Sequence, residues 1–326
     1  MVNCRKINRE ILPAASPAGG QELAMANETC NGTLTGAEFM EQGTVYTTPG
    51  TPLVRNLDRL LDQSGLVRLL GNVGTILIKP NLVDALAPPV TTPVDIIEAL
   101  IDWLRRACEA DIVIGEGTAA NSHDTFYVFA RLGYVELAGR KGVELVDLNC
   151  EETVCRRRPD CRRWPELHLP AMAYDAFLLS VPVLKAHTMD SVTLTLKNMM
   201  GLAPPAHYQE GSSWKKSSFH RDLGRAVADL NRYRCPDFTL LDARVGMAEA
   251  HLFGPACDPP VDRLVAGTDP VAVDAWGSAL LGRDWQGVEH IRELHGELGL
   301  AEPLRVVEVE QRTQEEACRP RPGRER

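Results

Sequence analysis

Aromatic residues make up only 6% of this 326-residue chain. No apolar run reaches the length of about 18 residues that a membrane-spanning helix needs. The first twenty residues lack the long apolar segment of a secretory signal, so a cytoplasmic location is expected. Positive charge is also in short supply. The 35 basic and 44 acidic side chains leave a formal charge of −9. That balance argues against nucleic acid as the main partner, because a phosphate backbone calls for a basic surface. Several signatures are missing outright: the G-x-x-x-x-G-K-[ST] phosphate loop, the G-x-G-x-x-G dinucleotide fingerprint, the G-x-S-x-G nucleophile elbow and the H-E-x-x-H zinc motif. Nine cysteines in a chain this long do not make a disulfide framework, and they read as reduced thiols.

What is present is a folded α/β pattern. The chain is long enough for one large domain or two smaller ones, and 44% hydrophobic with 24% charged residues is ordinary for a folded protein. Residues 1–45 have little periodicity and read as an irregular N-terminal arm; residues 311–326 read as a disordered tail. Between them, residues 46–310 alternate apolar strands with amphipathic helices, in one body or two sub-lobes. Leu53, Leu57, Leu60, Leu61, Val67 and Leu70 recur at helical spacing, with Gly65 as a weak point. Strands are expected at 75–83, 111–117, 143–149, 175–185, 237–246, 263–269 and 305–310. Helices are expected at 92–106, 124–138, from 191 on, at 220–233 and from 269 to 281, with a polar, arginine-rich excursion at 151–169. This βα succession implies a mixed or mostly parallel sheet with flanking helices.

The polar motifs fall where such sheets place ligands, beyond the carboxyl ends of strands. They are KPN at 79–81, GEGT at 115–118, KAH at 185–187, DAR at 242–244 and GTD at 267–269. Turn chemistry alone accounts for the Gly and Thr positions. It accounts poorly for Lys79 and Lys185, because a lysine at the end of a buried strand is unfavourable unless it meets a partner.

The segments IKPNLV at 78–83, DAFLLSVPVLKAH at 175–187, TLTLKNMMG at 193–201 and DPVAVDA at 269–275 resemble the DUF362 family of uncharacterised proteins, in that family's order. The resemblance spans roughly residues 75–300. Because that family is often iron–sulfur associated, it implies a metal or iron–sulfur cluster as one cofactor option and a redox partner as one partner option. The chain has no C-x2-C-x2-C-x3-C-P run. A more distant likeness is to lactate racemase-type proteins, which also set a His and a Lys ten residues apart after a strand, as His187 and Lys197 are here.

Read as chemistry, His187 is the candidate general acid or base, since an unperturbed imidazole titrates at about 6.5. Lys185 shares its face in an extended segment, and Lys197 is placed to steady a carboxylate, phosphate or oxyanion. Lys79, Asn81, Glu116, Asn198, His220, Asp242 and Asp269 are the candidate ligand- or cofactor-binding residues. Each has a plainer alternative. Lys79 could be a strand-end lysine reaching for water, Glu116 a helix-start residue, and Asp269 a helix cap before Pro270. The GSSWKKSSFHRD stretch at 211–222 suits a mobile lid or a phosphate-contacting loop, or else an exposed basic surface loop, and Asp242, Asp269 and Asp274 suit either a hard cation or structural roles. Cys150, Cys155 and Cys161 match no compact four-cysteine motif, and His290 and His295 read as surface residues. The cofactor and any metal ligands stay unassigned. The expected function is an enzyme acting on a small anionic metabolite by Lys/His-assisted proton transfer or redox chemistry. The alternatives are a redox accessory protein and a noncatalytic anion binder, as a monomer or a homo-oligomer.

Overall fold

The alternation of buried apolar residues along the strands is what sandwiches the sheet between two layers of helices. The computed structural model describes residues 42–188 and 191–309, so the expected arm up to residue 41 and the expected tail lie outside the described residues. In chain order come β1 (Thr44–Pro49), β2 (Thr75–Pro80), β3 (Asp111–Glu116) and β4 (Glu144–Asp147). A hairpin of β5 (Thr153–Arg157) and β6 (Glu166–Pro170) forms a separate two-stranded sheet. Then follow β7 (Phe177–Val181), β8 (Val183–His187), β9 (Ser191–Thr193), β10 (Phe238–Met247), β11 (Arg263–Gly267) and β12 (Arg305–Glu308). The main sheet is ordered β12-β1-β11-β10-β7-β2-β3-β4, with β8 paired to β10 and to β9.

Strands β4, β3, β2, β7 and β10 run parallel, whereas β11 is antiparallel to both its neighbours. The fold is α/β with a mostly parallel sheet. Period-two alternation sorts the side chains into two cores. Ile76, Ile78, Ile114, Leu179 and Leu240 face one, closed by the helices Leu53–Gln63 and Val94–Ala107. Leu77, Val113, Leu178 and Leu241 face the other, closed by the helices Leu223–Tyr233 and Pro270–Leu280.

Several local expectations are corrected. The long strand at 175–185 is two strands, because Pro182 cannot donate to a ladder. The helix expected from residue 191 starts later: Ser191–Thr193 is a strand antiparallel to Lys185–His187, and the helical turns are Thr195–Asn198 and the 3-10 turn Met199–Leu202 that follows. The β-branched Val192 and Thr193 favour that pairing. The arginine-rich excursion is the β5–β6 hairpin, with Cys155 opposite His168. Gly65 and Gly133, both at positive φ, split the two longer helical stretches as glycine permits. β1, which begins inside the expected arm, pairs with β11 and β12. His290 is wholly buried rather than at the surface. Among the described residues no helix is long and apolar enough to cross a membrane.

Candidate functional site

The carboxyl ends of β2 and β3 set Lys79 and Glu116 side by side at the floor of a cleft, where parallel sheets hold their ligands. Lys79 is wholly buried, which an ammonium tolerates only if its protons are matched. Its Nζ donates to Glu116 Oε2 at 2.8 Å, to Pro80 O at 3.2 Å and to Asn198 Oδ1 at 3.3 Å, which uses all its donors. Burial pulls Lys79 below the usual lysine range, and the Glu116 carboxylate opposes that pull. Glu116 also accepts from Leu82 N at 3.2 Å and from Gly117 N at 2.8 Å. Gly201 lies directly over the pair: a Cβ there would overlap Glu116 Oε1 and Lys79 Nζ, so glycine alone fits. Lys79 and Glu116 therefore form a closed lock beneath the cleft.

From this lock a polar chain leads to a second lysine. Asn198 Nδ2 donates to Lys79 O at 3.2 Å and to Ser180 Oγ at 3.0 Å, while Asn198 Oδ1 accepts from Asn81 Nδ2 at 3.3 Å. Asn81 Oδ1 accepts from Lys185 Nζ at 2.8 Å, and Lys185 Nζ also donates to Val90 O at 2.8 Å. Both acceptors are neutral. Burial, then the charge of Lys197, pushes the Lys185 amine down to about 7. β9 sets Thr193 opposite Lys185 and Ser191 opposite His187. Thr193 Oγ1 is buried at the cleft without a hydrogen-bond partner. His187 stacks on His251, with ring centroids 4.0 Å apart. Burial, then Lys185, Lys197 and His220, pushes His251 down to about 4, leaving it a neutral imidazole near pH 7.

Lys197 and Asn198 reach the site from the short helix Thr195–Asn198, which is pinned from across the core. Asp274 accepts from Thr195 N at 2.8 Å and from Leu196 N at 3.0 Å, and Asn231 Nδ2 donates to Leu196 O at 2.8 Å. Burial pushes the Asp274 carboxyl up to about 8, against these two N–H donors. The far wall comes from the stretch at 211–222. Trp214 stacks on His220 at 5.0 Å, and Lys216 turns inward to donate to Ala203 O and Asn149 Oδ1. Burial pushes Lys216 down to about 7, with Glu116 opposing.

With the site assembled, residues 76–279 match the family model described as Domain of unknown function (DUF362). The chain belongs to the DUF362 family. No curated protein matches it. The family span starts in β2 and ends in the helix Pro270–Leu280, so it takes in the lock, the polar chain, the three lysines around the cleft, His251 and Asp274. The likeness to lactate racemase-type proteins rests on the His187–Lys197 spacing and carries no further argument.

The structure brings Asn81, Glu116, Lys185, His187, Lys197, Asn198 and His220 to one cleft, with Lys79 directly below. Asp242 and Asp269 are elsewhere. Asp242 grips Arg244 through Nε at 3.0 Å and Nη2 at 2.8 Å, beside a separate hollow. Asp269 caps the helix Pro270–Leu280 by accepting from Ala272 N at 2.9 Å, and it also accepts from Gly43 N and Leu300 N, both at 2.8 Å. The hard-cation reading of Asp242, Asp269 and Asp274 gives way to these structural roles. Among the described residues no three His, Cys, Asp or Glu side chains gather to hold a metal, Cys150, Cys155 and Cys161 included. Cys161 is buried in a core and its thiol is pushed up to about 12 by that burial.

Sequence reasoning missed Thr193 and His251, and it left Lys216 between a lid or phosphate-contacting loop and an exposed basic loop. A signal for Lys216 was present in the composition. The chain has seven lysines against 28 arginines, and Lys79, Lys185, Lys197 and Lys216 all converge here. Where arginine serves nearly everywhere else, a lysine is the unusual choice: it is the cation that burial most readily turns into a neutral amine.

Proposed function

We propose that this DUF362-family protein is an enzyme that binds a small organic anion and exchanges a proton with it. The observation that carries the reading is the charge imbalance of the cleft. Lys185 and Lys216 line it with only neutral oxygens as acceptors, and Glu116, the one carboxylate among its described lining residues, is already tied to Lys79. A buried ammonium with only neutral acceptors is unfavourable, and Lys185 and Lys216 are accordingly pushed down to about 7. A carboxylate or phosphate in the cleft supplies the missing counter-charge and returns both amines toward protonation. The free volume of the cleft is about 80 Å³, which suits a small metabolite rather than a polymer.

His187 shares the Lys185 face of β8 and is the group positioned to give or take a proton. Neutral His251 stacked against it limits how the ring can turn. The lysines orient the anion and His187 acts on it. Glu116 serves the lock and not the proton transfer.

Calorimetric titration with succinate and lactate, each compared with its amide, tests the reading. The acids are expected to bind and the amides not. Affinity for the acids should fall between pH 6 and pH 9, because Lys185 and Lys216 lose their protons at about 7. Equal affinity for acid and amide would contradict an anion site.

A further inference from the structure

The two ends of the buried polar chain give their lysines different partners. At one end Lys79 directs its donors at a carboxylate and two neutral oxygens, the full set of an ammonium. At the other end Lys185 Nζ makes two hydrogen bonds, to Asn81 Oδ1 and Val90 O, both at 2.8 Å, with no carboxylate among its partners. Two donated hydrogens are what a neutral amine has to give, and they leave its lone pair for a third direction. Lys185 also lines the cleft. Directly across the β8–β9 ladder stands Thr193, a lining residue of the same cleft and only 7% exposed, whose hydroxyl is buried with no hydrogen-bond partner. A buried hydroxyl left unmatched beside an amine calls for a ligand atom between them.

We propose that Lys185 is a nucleophilic amine that forms a Schiff base with the carbonyl carbon of a small 2-oxo acid, with Thr193 Oγ1 holding the carbonyl oxygen. The proposal rests on the anion-site reading and narrows its ligand to a carbonyl-bearing acid. The lone pair of Lys185 Nζ forms the new C–N bond while the carbonyl π pair moves onto oxygen, which takes up a proton. The nitrogen gives up one proton, and the carbinolamine forms against the Thr193 hydroxyl. A second proton on the hydroxyl lets it leave as water as the nitrogen lone pair closes the C=N bond. The net change is amine, carbonyl and one proton going to iminium and water, with no oxidant or reductant. His187, two residues along the same strand face, is positioned for the proton transfers, and Lys197 for the acid's carboxylate.

Lys216 is the competing amine, since it too donates to two neutral oxygens. Its leading electrostatic neighbour is the carboxylate Glu116, which favours the ammonium, whereas that of Lys185 is the cation Lys197, which favours the amine. The unmatched Thr193 hydroxyl stands opposite Lys185.

The test is reductive trapping on the native protein. Pyruvate, 2-oxobutyrate and 2-oxoglutarate are incubated separately with sodium cyanoborohydride, and the modified peptide is mapped by mass spectrometry. Calorimetry without reductant runs beside it, using the same acids and lactate. The expected result is one reduced adduct per chain on Lys185, lost when the protein is denatured first. Trapping should slow by about tenfold or more in Thr193→Val and recover in Thr193→Ser. Acids that bind while Lys185 stays unmodified, or an adduct that maps to Lys216, would overturn the Schiff-base proposal and leave the anion site standing. If neither the 2-oxo acids nor lactate bind, both readings fall.

Discussion

Two hollows flank the β8 end of the sheet, and they treat buried positive charge in opposite ways. In the hollow beside Asp242, Arg244 is gripped by two carboxylates: Asp242 on one side, and Asp95 at 2.7 Å from both Nη1 and Nη2 on the other. Those bonds hold the guanidinium well above its usual range despite burial. In the cleft, Lys185 and Lys216 meet neutral oxygens, and burial drives them down to about 7. A guanidinium with its counter-ions in place is a finished structural element. An amine held between its two states is poised to respond to whatever arrives, and perturbed groups of this kind cluster where ligands bind. The lock beneath the cleft belongs with the arginine, since Lys79 has its carboxylate.

The comparison can be broken most severely at that lock. Glu116→Gln leaves Lys79 buried opposite a neutral amide. It should destabilise the protein by about 3–5 kcal/mol, the usual penalty for stranding one member of a buried ion pair. Urea unfolding measures this, and a loss well under 1 kcal/mol would mean that Lys79 holds no charge in the fold. A smaller effect is expected at Asp274. Asp274→Ala strands the N–H groups of Thr195 and Leu196. The expected loss is about 1–3 kcal/mol. Acid binding should weaken with it, because Lys197 rides on that helix, and Asp274→Asn should recover part of both. Unchanged acid affinity in a folded Asp274→Ala protein would separate the helix from the site. The smallest effect belongs to the arginine hollow. Asp95 is half exposed, so Asp95→Asn should cost at most about 1 kcal/mol in thermal unfolding and leave acid affinity in the cleft unaltered. A change in cleft affinity would show that the two hollows are coupled.

Much of this site is legible in the order of residues, for a physical reason. Parallel strands bring their carboxyl ends to one edge, so Lys79 and Glu116, each read at the end of a strand, meet because β2 and β3 are neighbours, whereas Lys185 arrives on β8, which pairs with β10 and β9. The same reasoning misplaced Asp242 and Asp269. A strand-end position does not say which side of the sheet a residue faces, and an Asp before Pro270 already had a complete role as a helix cap. Thr193 was hidden because a three-residue strand is too short to show a period against the helix that follows it. His251 reaches the cleft through a stacking contact 64 residues along the chain from His187, and local pattern cannot register such a contact. The Asp274 contact to Thr195 spans 79 positions and is hidden for the same reason.

The central claim is that Lys185 and Lys216, whose hydrogen-bond partners are all neutral, lack a counter-charge until an anion arrives. The most direct measurement is proton uptake on binding. Lactate or succinate is titrated at pH 8 by calorimetry in two buffers of unlike ionisation enthalpy, and the difference in heat gives the number of protons exchanged. With Lys185 and Lys216 pushed down to about 7, both are mostly neutral at that pH, and binding should draw in about one proton or more per anion. Binding with no proton uptake would contradict the account, because it would mean that the lysines were already charged, and already matched, before the anion came.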